Sequence, residues 1–351
     1  MKFSIPELLA VNPASHDENW LKNALQSALE LELATLPPYL CALWSITDTN
    51  NTAYEIIRSI ILEEMLHFAL VCNMLTAIGG IPEINNPAVV PRYPGGLPGK
   101  VKPGLSIYLA GLSKDFLRDV CIPIEAPEQT PITGLAVSDS SDSPERPIPS
   151  IGAFYDAILS SFKSLSPHIT FRMDFQLVGH TLNQFPLFKV SGISDVEKAI
   201  QEIKQQGEGT RQSPNGPDTP DSSGKVELAH FYKFKEIYHG KKLVFVDNKW
   251  TFDGEEISFP KVQPMSRVPV GGYESPPKCV QNLLDIFNNS YAIMLNLLQA
   301  AWKNGSQDSL SKAIGIMFTL KRIAVRLMAI SLPDGTGTYG PDFLIVKASD
   351  F

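Results

Sequence analysis

Two Glu-x-x-His spacings, Glu64/His67 and Glu227/His230, are where side-chain types and positions in this chain could do metal chemistry. On a helix, residues three apart share a face, so each pair offers one cation a carboxylate oxygen and an imidazole nitrogen. Around the first pair, Ile57, Ile60, Ile61, Phe68, Val71 and Leu75 recur at helical spacing, and Glu64 and His67 fall inside that apolar stripe. A buried carboxylate costs several kcal/mol unless it is paired or binds a cation. Around the second pair, Glu227, His230, Phe231, Phe234 and Tyr238 follow the i, i+3, i+4, i+7 and i+11 pattern of another apolar face. Glu32 is a third inward acid, four residues after Ala28 and seven after Leu25, whereas Glu30 falls to one side. One buried Glu/His pair is ordinary in a core. Two of them, with an inward Glu on a separate helix, approach the ligand set of di-iron and di-manganese carboxylate bundles, in which two helices give Glu-x-x-His and two give one Glu each.

The elements that must carry these residues follow from the pattern. Trp20 to about Leu36 reads as a helix, and Pro37-Pro38 should make it kink or restart, with Tyr39 to Ile46 as its second half. Thr47 to Thr52 is turn-like and joins it to the Glu64 helix as an antiparallel hairpin, which sets Glu32 and Glu64 at similar height. A third bundle helix, Val196 to Gln206, has Ser194 as N-cap and Glu197 as its capping-box partner. It runs into Gln205-Gln206-Gly207-Glu208-Gly209, where neither Glu202 nor Glu208 falls on the apolar face, so periodicity leaves that ligand open. The Glu227 helix should open at Lys225 or Val226. Its neighbours Glu236 and His239, in the company of Tyr232 and Lys233, read as exposed.

Between these helices the composition changes. Residues 81 to 149 read as an irregular or small-β insertion: 81 to 104 are rich in Pro and Gly, Leu105, Ile107 and Leu109 alternate, and Ile122 to Pro149 lacks periodicity. Ile151 to Leu165 is helical. Asp174, among Phe171, Phe175 and Val178, hints at one more inward acid, although a lone Asp there reads first as a hydrogen-bonding or capping residue. Leu243 to Val246 and Trp250 to Phe252 fit a hairpin, and amphipathic helices follow at about 279–303 and 309–331, the second flanked by Lys321, Arg322 and Arg326 as a solvated face.

Composition narrows the function classes. A chain of 351 residues with 44% hydrophobic content can bury a large core without a metal. With a net charge of −7 and no basic stripe, nucleic acid is not expected as a partner. Cys41, Cys72, Cys121 and Cys279 are scattered, which fits a reducing compartment and not a disulfide or zinc framework. No basic-then-apolar leader opens the sequence and no run of about 18 apolar residues occurs, so a cytoplasmic protein with no membrane partner is expected.

The stretch LQSALELELATLPPYLCALWSI from Leu25 to Ile46, together with IILEEMLHFALVCNML, QQGEG at 205 to 209 and VELAHFYKFKEI, resembles the ferritin-like domain at one end of the imino-acid (iminophenyl-pyruvate) dimer synthases of violacein- and rebeccamycin-type pathways. Tyr93 to Gly99 (YPGGLPG), Ile124 to Glu128 (IEAPE), Ser150 to Tyr155 (SIGAFY) and Gly340 to Phe343 fit as well, so the resemblance covers almost the whole chain. It implies a mainly α fold, one ferritin-like four-helix bundle over 1–351 with bundle helices at about 17–46, 53–78, 194–209 and 225–240, the 81–149 insertion and extra C-terminal helices. It implies that Glu32, Glu64, His67, Glu208, Glu227 and His230 face the metal, and it favours Glu208 over Glu202. It does not carry over the reaction, since those synthases are far longer.

The expected activity is that of a di-metal oxidoreductase using two iron ions, or another divalent metal such as manganese, on a small organic substrate derived from an amino acid. In that reading Glu32 and Glu227 are terminal or shifting carboxylates, Glu64 and Glu208 bridge, and His67 and His230 are neutral nitrogen donors that each need an outer partner. A homo-oligomer or a partner enzyme of biosynthesis would be its company. The competing readings are an iron storage or detoxification protein and a metal-free helical scaffold.

Overall fold

The computed structural model describes residues 4–127, 151–181, 185–207, 228–247 and 249–345. In chain order the helices are α1 (Ile5–Ala10), α2 (Glu18–Ser45), α3 (Thr52–Ala77), α4 (Lys114–Phe116), α5 (Ile122–Glu125), α6 (Ile151–Leu165), α7 (Ile193–Gly207), α8 (His230–His239), α9 (Lys278–Asn304) and α10 (Gln307–Met328). Two small antiparallel ribbons accompany them: β1 (Gly179–Thr181) with β2 (Phe185–Leu187), and β3 (Val244–Val246) with β4 (Lys249–Thr251). The expected 243–252 hairpin is the second of these, with Val244 opposite Thr251.

The α2–α3 hairpin is the spine. Asp17 caps α2 by accepting from the Trp20 N–H at 2.7 Å, and Asn51 caps α3 by accepting from the Ala53 N–H at 2.8 Å. Helices α6, α7 and α8 pack against one side of the hairpin, and the antiparallel α9–α10 pair packs against the other. Covered from several directions, α3 is apolar almost all round and is long enough to cross a membrane by length and composition, yet nearly all of it is buried in protein. The rule of an unbroken apolar run misses it because Glu63 and Glu64 interrupt the sequence.

Four local expectations need correction. Helix α2 runs unbroken from Glu18 to Ser45 with Pro37 and Pro38 inside it, instead of restarting there. Pro38 has no N–H to give the carbonyl of Ala34, one turn back. The Tyr93 hydroxyl donates to that carbonyl at 2.7 Å in its place. Second, Lys114–Phe116, a π turn at Leu117–Cys121 and Ile122–Glu125 form a continuous helical stretch inside what reads as loop, and Lys102 Nζ holds its end by donating to the carbonyls of Pro123, Ile124 and Ala126 at 2.9, 2.9 and 2.6 Å. Third, Ser194 lies within α7 and does not cap it. Asp195 reaches back to accept from the Ser191 N–H and hydroxyl at 2.8 and 2.6 Å, while Glu197 pairs with Lys163 at 2.7 Å. Fourth, Asp174 is exposed, in a segment without helix.

The four cysteines are free thiols, Cys41, Cys72 and Cys121 buried and Cys279 exposed. A Tyr93→Phe variant should keep the fold and lose about 1–3 kcal/mol in urea unfolding, because the Ala34 carbonyl is left without a donor in the core. An unchanged midpoint would show that the phenol is not what satisfies the proline gap.

Candidate metal centre

Helix α2 presents Glu32, α3 presents Glu64 and His67, α5 presents Glu125, and α8 presents His230 at its first residue. All five side chains are buried. Ligand-type atoms of Glu32, Glu64 and His67 lie within 4.8 Å of one another, and so do those of Glu64, Glu125 and His230. Glu64 belongs to both groups. Its Oε1 is 3.5 Å from His67 Nδ1 and 2.9 Å from His230 Nδ1, and the two imidazole rings lie 5.7 Å apart. Glu32 Oε2 is 3.7 Å from His67 Nδ1, and Glu125 Oε1 is 3.7 Å from His230 Nδ1. Two Glu/Glu/His groups thus share one carboxylate, the arrangement that holds two cations side by side.

The other faces of these residues are held by partners. His67 Nε2 faces the Gln206 side-chain oxygen at 2.6 Å, and His230 Nε2 faces Glu63 Oε2 at 2.8 Å. Since both oxygens accept, each Nε2 carries hydrogen and each Nδ1 is turned toward the carboxylates, as outer partners of metal-binding histidines arrange it. Lys233 Nζ in turn grips Glu63 at 2.9 and 3.0 Å. Thr35 donates to Glu64 Oε2 at 2.7 Å, Tyr39 donates to Glu125 Oε1 at 2.6 Å, and Tyr155 donates to Glu32 Oε1. His230 Nδ1 is buried and makes no hydrogen bond, although the Glu64 oxygen is close. That orphaned nitrogen and the donor set, hard carboxylate oxygens with imidazole nitrogens, fit divalent iron or manganese.

Electrostatics say the same. Burial pushes Glu32 up from its ordinary value, contact with His67 opposes this, and the nearby Glu64 adds to the rise. Burial would also raise Glu64 and Glu63. For Glu64 the contacts with His230 and His67 outweigh it and hold the carboxyl below the usual range, and for Glu63 the Lys233 charge and the His230 hydrogen bond bring it down to about 2. Burial would lower both histidines, but Glu32 and Glu64 carry His67 up to about 10, and Glu125, Glu63 and Glu64 carry His230 well above its ordinary value. Surplus negative charge in an apolar interior is asking for a cation, and protons on the imidazoles are the substitute.

A family model described as ferritin-like matches residues 25–239, which takes in α2 from Leu25 onward, α3, α7 and α8 with every residue of the two groups. The chain belongs to the ferritin-like family. Its structure is similar to that of a ferritin-like protein from Caulobacter vibrioides, with a TM-score of 0.57 and 23% identity over 86% of this chain and 95% of that one. At that identity the likeness speaks for the fold alone. No curated protein matches the sequence. As a ferritin-like chain it departs from a bare bundle in its α9–α10 pair and in the segment that brings α5 to the centre.

The sequence-derived candidates distribute unevenly over this ferritin-like centre. Glu32, Glu64, His67 and His230 converge. Glu208 and Glu227 lie outside the described residues, and Glu202 is in neither group. The helix expected to open at Lys225 or Val226 begins at His230, because Ala229 before it is extended, with φ −63° and ψ 154°. Glu236, expected exposed, is buried and accepts from Lys242 Nζ at 2.9 Å and from the Leu243 N–H at 2.8 Å, and Tyr232 and Lys233 are buried too, whereas His239 is exposed as expected. Pattern reading missed Glu63, Glu125 and Gln206. Glu125 had one usable signal, its place in the IEAPE stretch.

Loading the metal-free ferritin-like chain with Fe²⁺ or Mn²⁺ in weak buffer at pH 7 should release about two protons per chain, since each Nδ1 gives its proton up to a cation. The sign follows from the raised imidazoles: apparent affinity should climb with pH toward the His67 value and fall as acid restores the imidazolium forms. Binding without proton release would contradict these assignments. Replacing Glu63 and Lys233 together (Glu63→Gln with Lys233→Met) avoids stranding a buried charge and should weaken metal binding about 10-fold or more, read by competition with a chromophoric chelator.

Proposed function

We propose that the chain is a di-metal carboxylate oxidoreductase, with iron as the metal, acting on a small amino-acid-derived molecule, and that its reaction is related to those of imino-acid dimer synthase domains. The observation that carries this is Glu64 standing between two Glu/His groups whose imidazoles are both turned inward by outer partners. Bound there, two ferrous ions would supply electrons to dioxygen and so generate an oxidant for the substrate.

The chain's own residues do the rest. Glu32, Glu64, Glu125, His67 and His230 would hold the ions, and Thr35, Tyr39 and Tyr155 orient the carboxylates by donating to them. A cleft of about 50 Å³ opens beside Glu32 and Glu64, walled by Leu97, Ile124, Ile151, Gly152 and Tyr155. These wall residues belong to YPGGLPG, IEAPE and SIGAFY, the stretches that carry the synthase resemblance outside the helical ligand motifs. The cleft is small, mostly apolar and next to the ligands, which suits a compact organic substrate better than passage of many ions to a mineral. The same reading keeps Glu208 and Glu227 as further metal-facing acids and makes the protein cytoplasmic.

The experiment is anaerobic iron loading followed by oxygen, watched by optical absorption in wild type and in Glu64→Ala. Wild type should bind about two irons per chain and show a transient that the variant lacks. Hundreds of irons per chain would favour storage, and no binding with full stability would favour a scaffold. An identical trace in the variant would sink the assignment.

A further inference from the structure

Helices α9 and α10 form an antiparallel pair turned at Gly305 and Ser306. Inward, the pair closes an apolar slot of about 90 Å³ against Leu33, Leu36 and Leu40 of α2 and Met65 and Phe68 of α3. Outward, it carries more than the cations expected of a solvated face. Ile286 and Ile293 stand two turns apart on α9, Phe318 and Val325 stand two turns apart on α10, and these four side chains are 41–59% exposed. Ile293 and Phe318 are equally far from the turn, and so are Ile286 and Val325, so the four make two apolar rungs across the pair, about 10 Å apart. Beyond the second rung, where α9 begins and α10 ends, the same face opens into a groove of about 510 Å³. Leu283, Ala329 and Ile330 line it, together with Cys279, Ile286 and Arg326.

We infer that this face seats a second copy of the chain, with Phe318 of each copy entering the groove of the other. A two-fold interface needs a projection and a recess on one surface, so that each copy gives what the other receives. Both are present. Phe318 projects from the first rung, and the groove lies about 16 Å further along the pair, at Asn282 and Ala329, which are again equally far from the turn. An axis crossing the helices midway, between Arg322 and Val325, lays Phe318 and Ile293 of one copy over Ala329 and Asn282 of the other and repeats the contact on its far side. It also sets Arg322 opposite Val325 of the other copy, so the two Arg322 charges do not meet. Arg326, on the groove wall, can offer its guanidinium to the face of the entering ring. The area suffices as well. From Cys279 to Ala300 the strip is about 32 Å long and, at two helices, about 20 Å wide, roughly 600 Å². Stable interfaces of standard size cover about 600–1,000 Å² on each partner. The inference stands independently of the metal chemistry, which lies on the opposite side of the α2–α3 hairpin.

Sedimentation velocity of the full chain reads the assembly directly. A species of twice the 38.6 kDa single-chain mass is expected at micromolar concentration. Phe318→Asp and Ile293→Asp, at exposed positions where the fold tolerates a charge, should each raise the dissociation constant about 100-fold or more with circular dichroism unchanged. Ala329→Trp fills the groove while adding apolar surface. It should weaken the dimer as strongly, whereas a face that is merely sticky would associate more. Phe245→Asp, an exposed aromatic on β3, should leave the dimer as it is. The inference is overturned by a monomer throughout the micromolar range, by a dimer that persists in whichever of the three face variants folds, or by stronger association in Ala329→Trp. Assemblies that grow past two copies would overturn it too, because a two-fold contact closes on itself. Loss of the dimer in Phe245→Asp would do the same, by placing the interface on the β3–β4 ribbon.

Discussion

Burying Glu32, Glu64 and Glu125 together is the constraint on which the rest of this structure depends. Carboxylates gathered in a dry interior need positive charge to balance them. The chain meets part of that demand itself. Lys233 neutralises Glu63, and the two imidazoles can take protons, but the shared position of Glu64 leaves both Nδ1 atoms converging on one set of oxygens. A pair of cations resolves all of these contacts at once, whereas protons satisfy them one at a time. The outer partners matter for the same reason: Gln206 and Glu63 fix the histidines before any ion arrives, so binding does not have to order the rings.

The hairpin that carries these groups is a partition with different chemistry on its two sides. Adjacent residues go opposite ways: Glu32 to the centre and Leu33 to the apolar slot, Thr35 and Leu36 likewise, then Tyr39 and Leu40, and on α3 Glu64 and Met65, His67 and Phe68. Because α3 is buried on nearly every side, displacing it on one face must be felt on the other, interiors being packed too closely to absorb a shift locally. Continuity of α2 through Pro37 and Pro38 serves this arrangement, since a helix that restarted there would uncouple Glu32 and Thr35 from Tyr39. The Tyr93 phenol makes that continuity affordable by occupying a carbonyl the prolines leave open.

Apolar periodicity located Glu32, Glu64, His67 and His230 because a charged group within a greasy stripe is conspicuous when the rest of the stripe is regular. The same logic was blind to Glu63. It lies off the stripe that Glu64 interrupts, and on a helix covered from several sides the second buried face has no solvent-facing contrast to reveal it. Glu125 was hidden for another reason. Its helix is short and entered through a π turn, and what fixes its end is Lys102 from a Pro/Gly-rich stretch more than twenty residues earlier. Local pattern cannot report a position set by a distant lysine. The helix that carries His230 starts four or five residues later than the apolar pattern suggested, because the backbone of Ala229 before it is extended.

Family membership and chemistry separate at this point. A ferritin-like bundle supplies rods that can bring acids and imidazoles together, and that much is shared with proteins of very different use. What a given chain does with bound metal depends on what stands next to it. Here Tyr155 reaches Glu32 and Tyr39 reaches Glu125, so each outer carboxylate is tied to a buried phenol, while Glu64 between them is tied to a threonine. A carboxylate held by a hydroxyl on one oxygen is fixed in orientation while the other oxygen is left to face an ion. Both outer acids are therefore oriented without being exposed, and the cleft that reaches them is walled by apolar side chains that keep bulk water from competing for the same positions. Leu97, Ile124 and Ile151, which shelter this cleft, lie in the segments added to the bundle and not in its long helices.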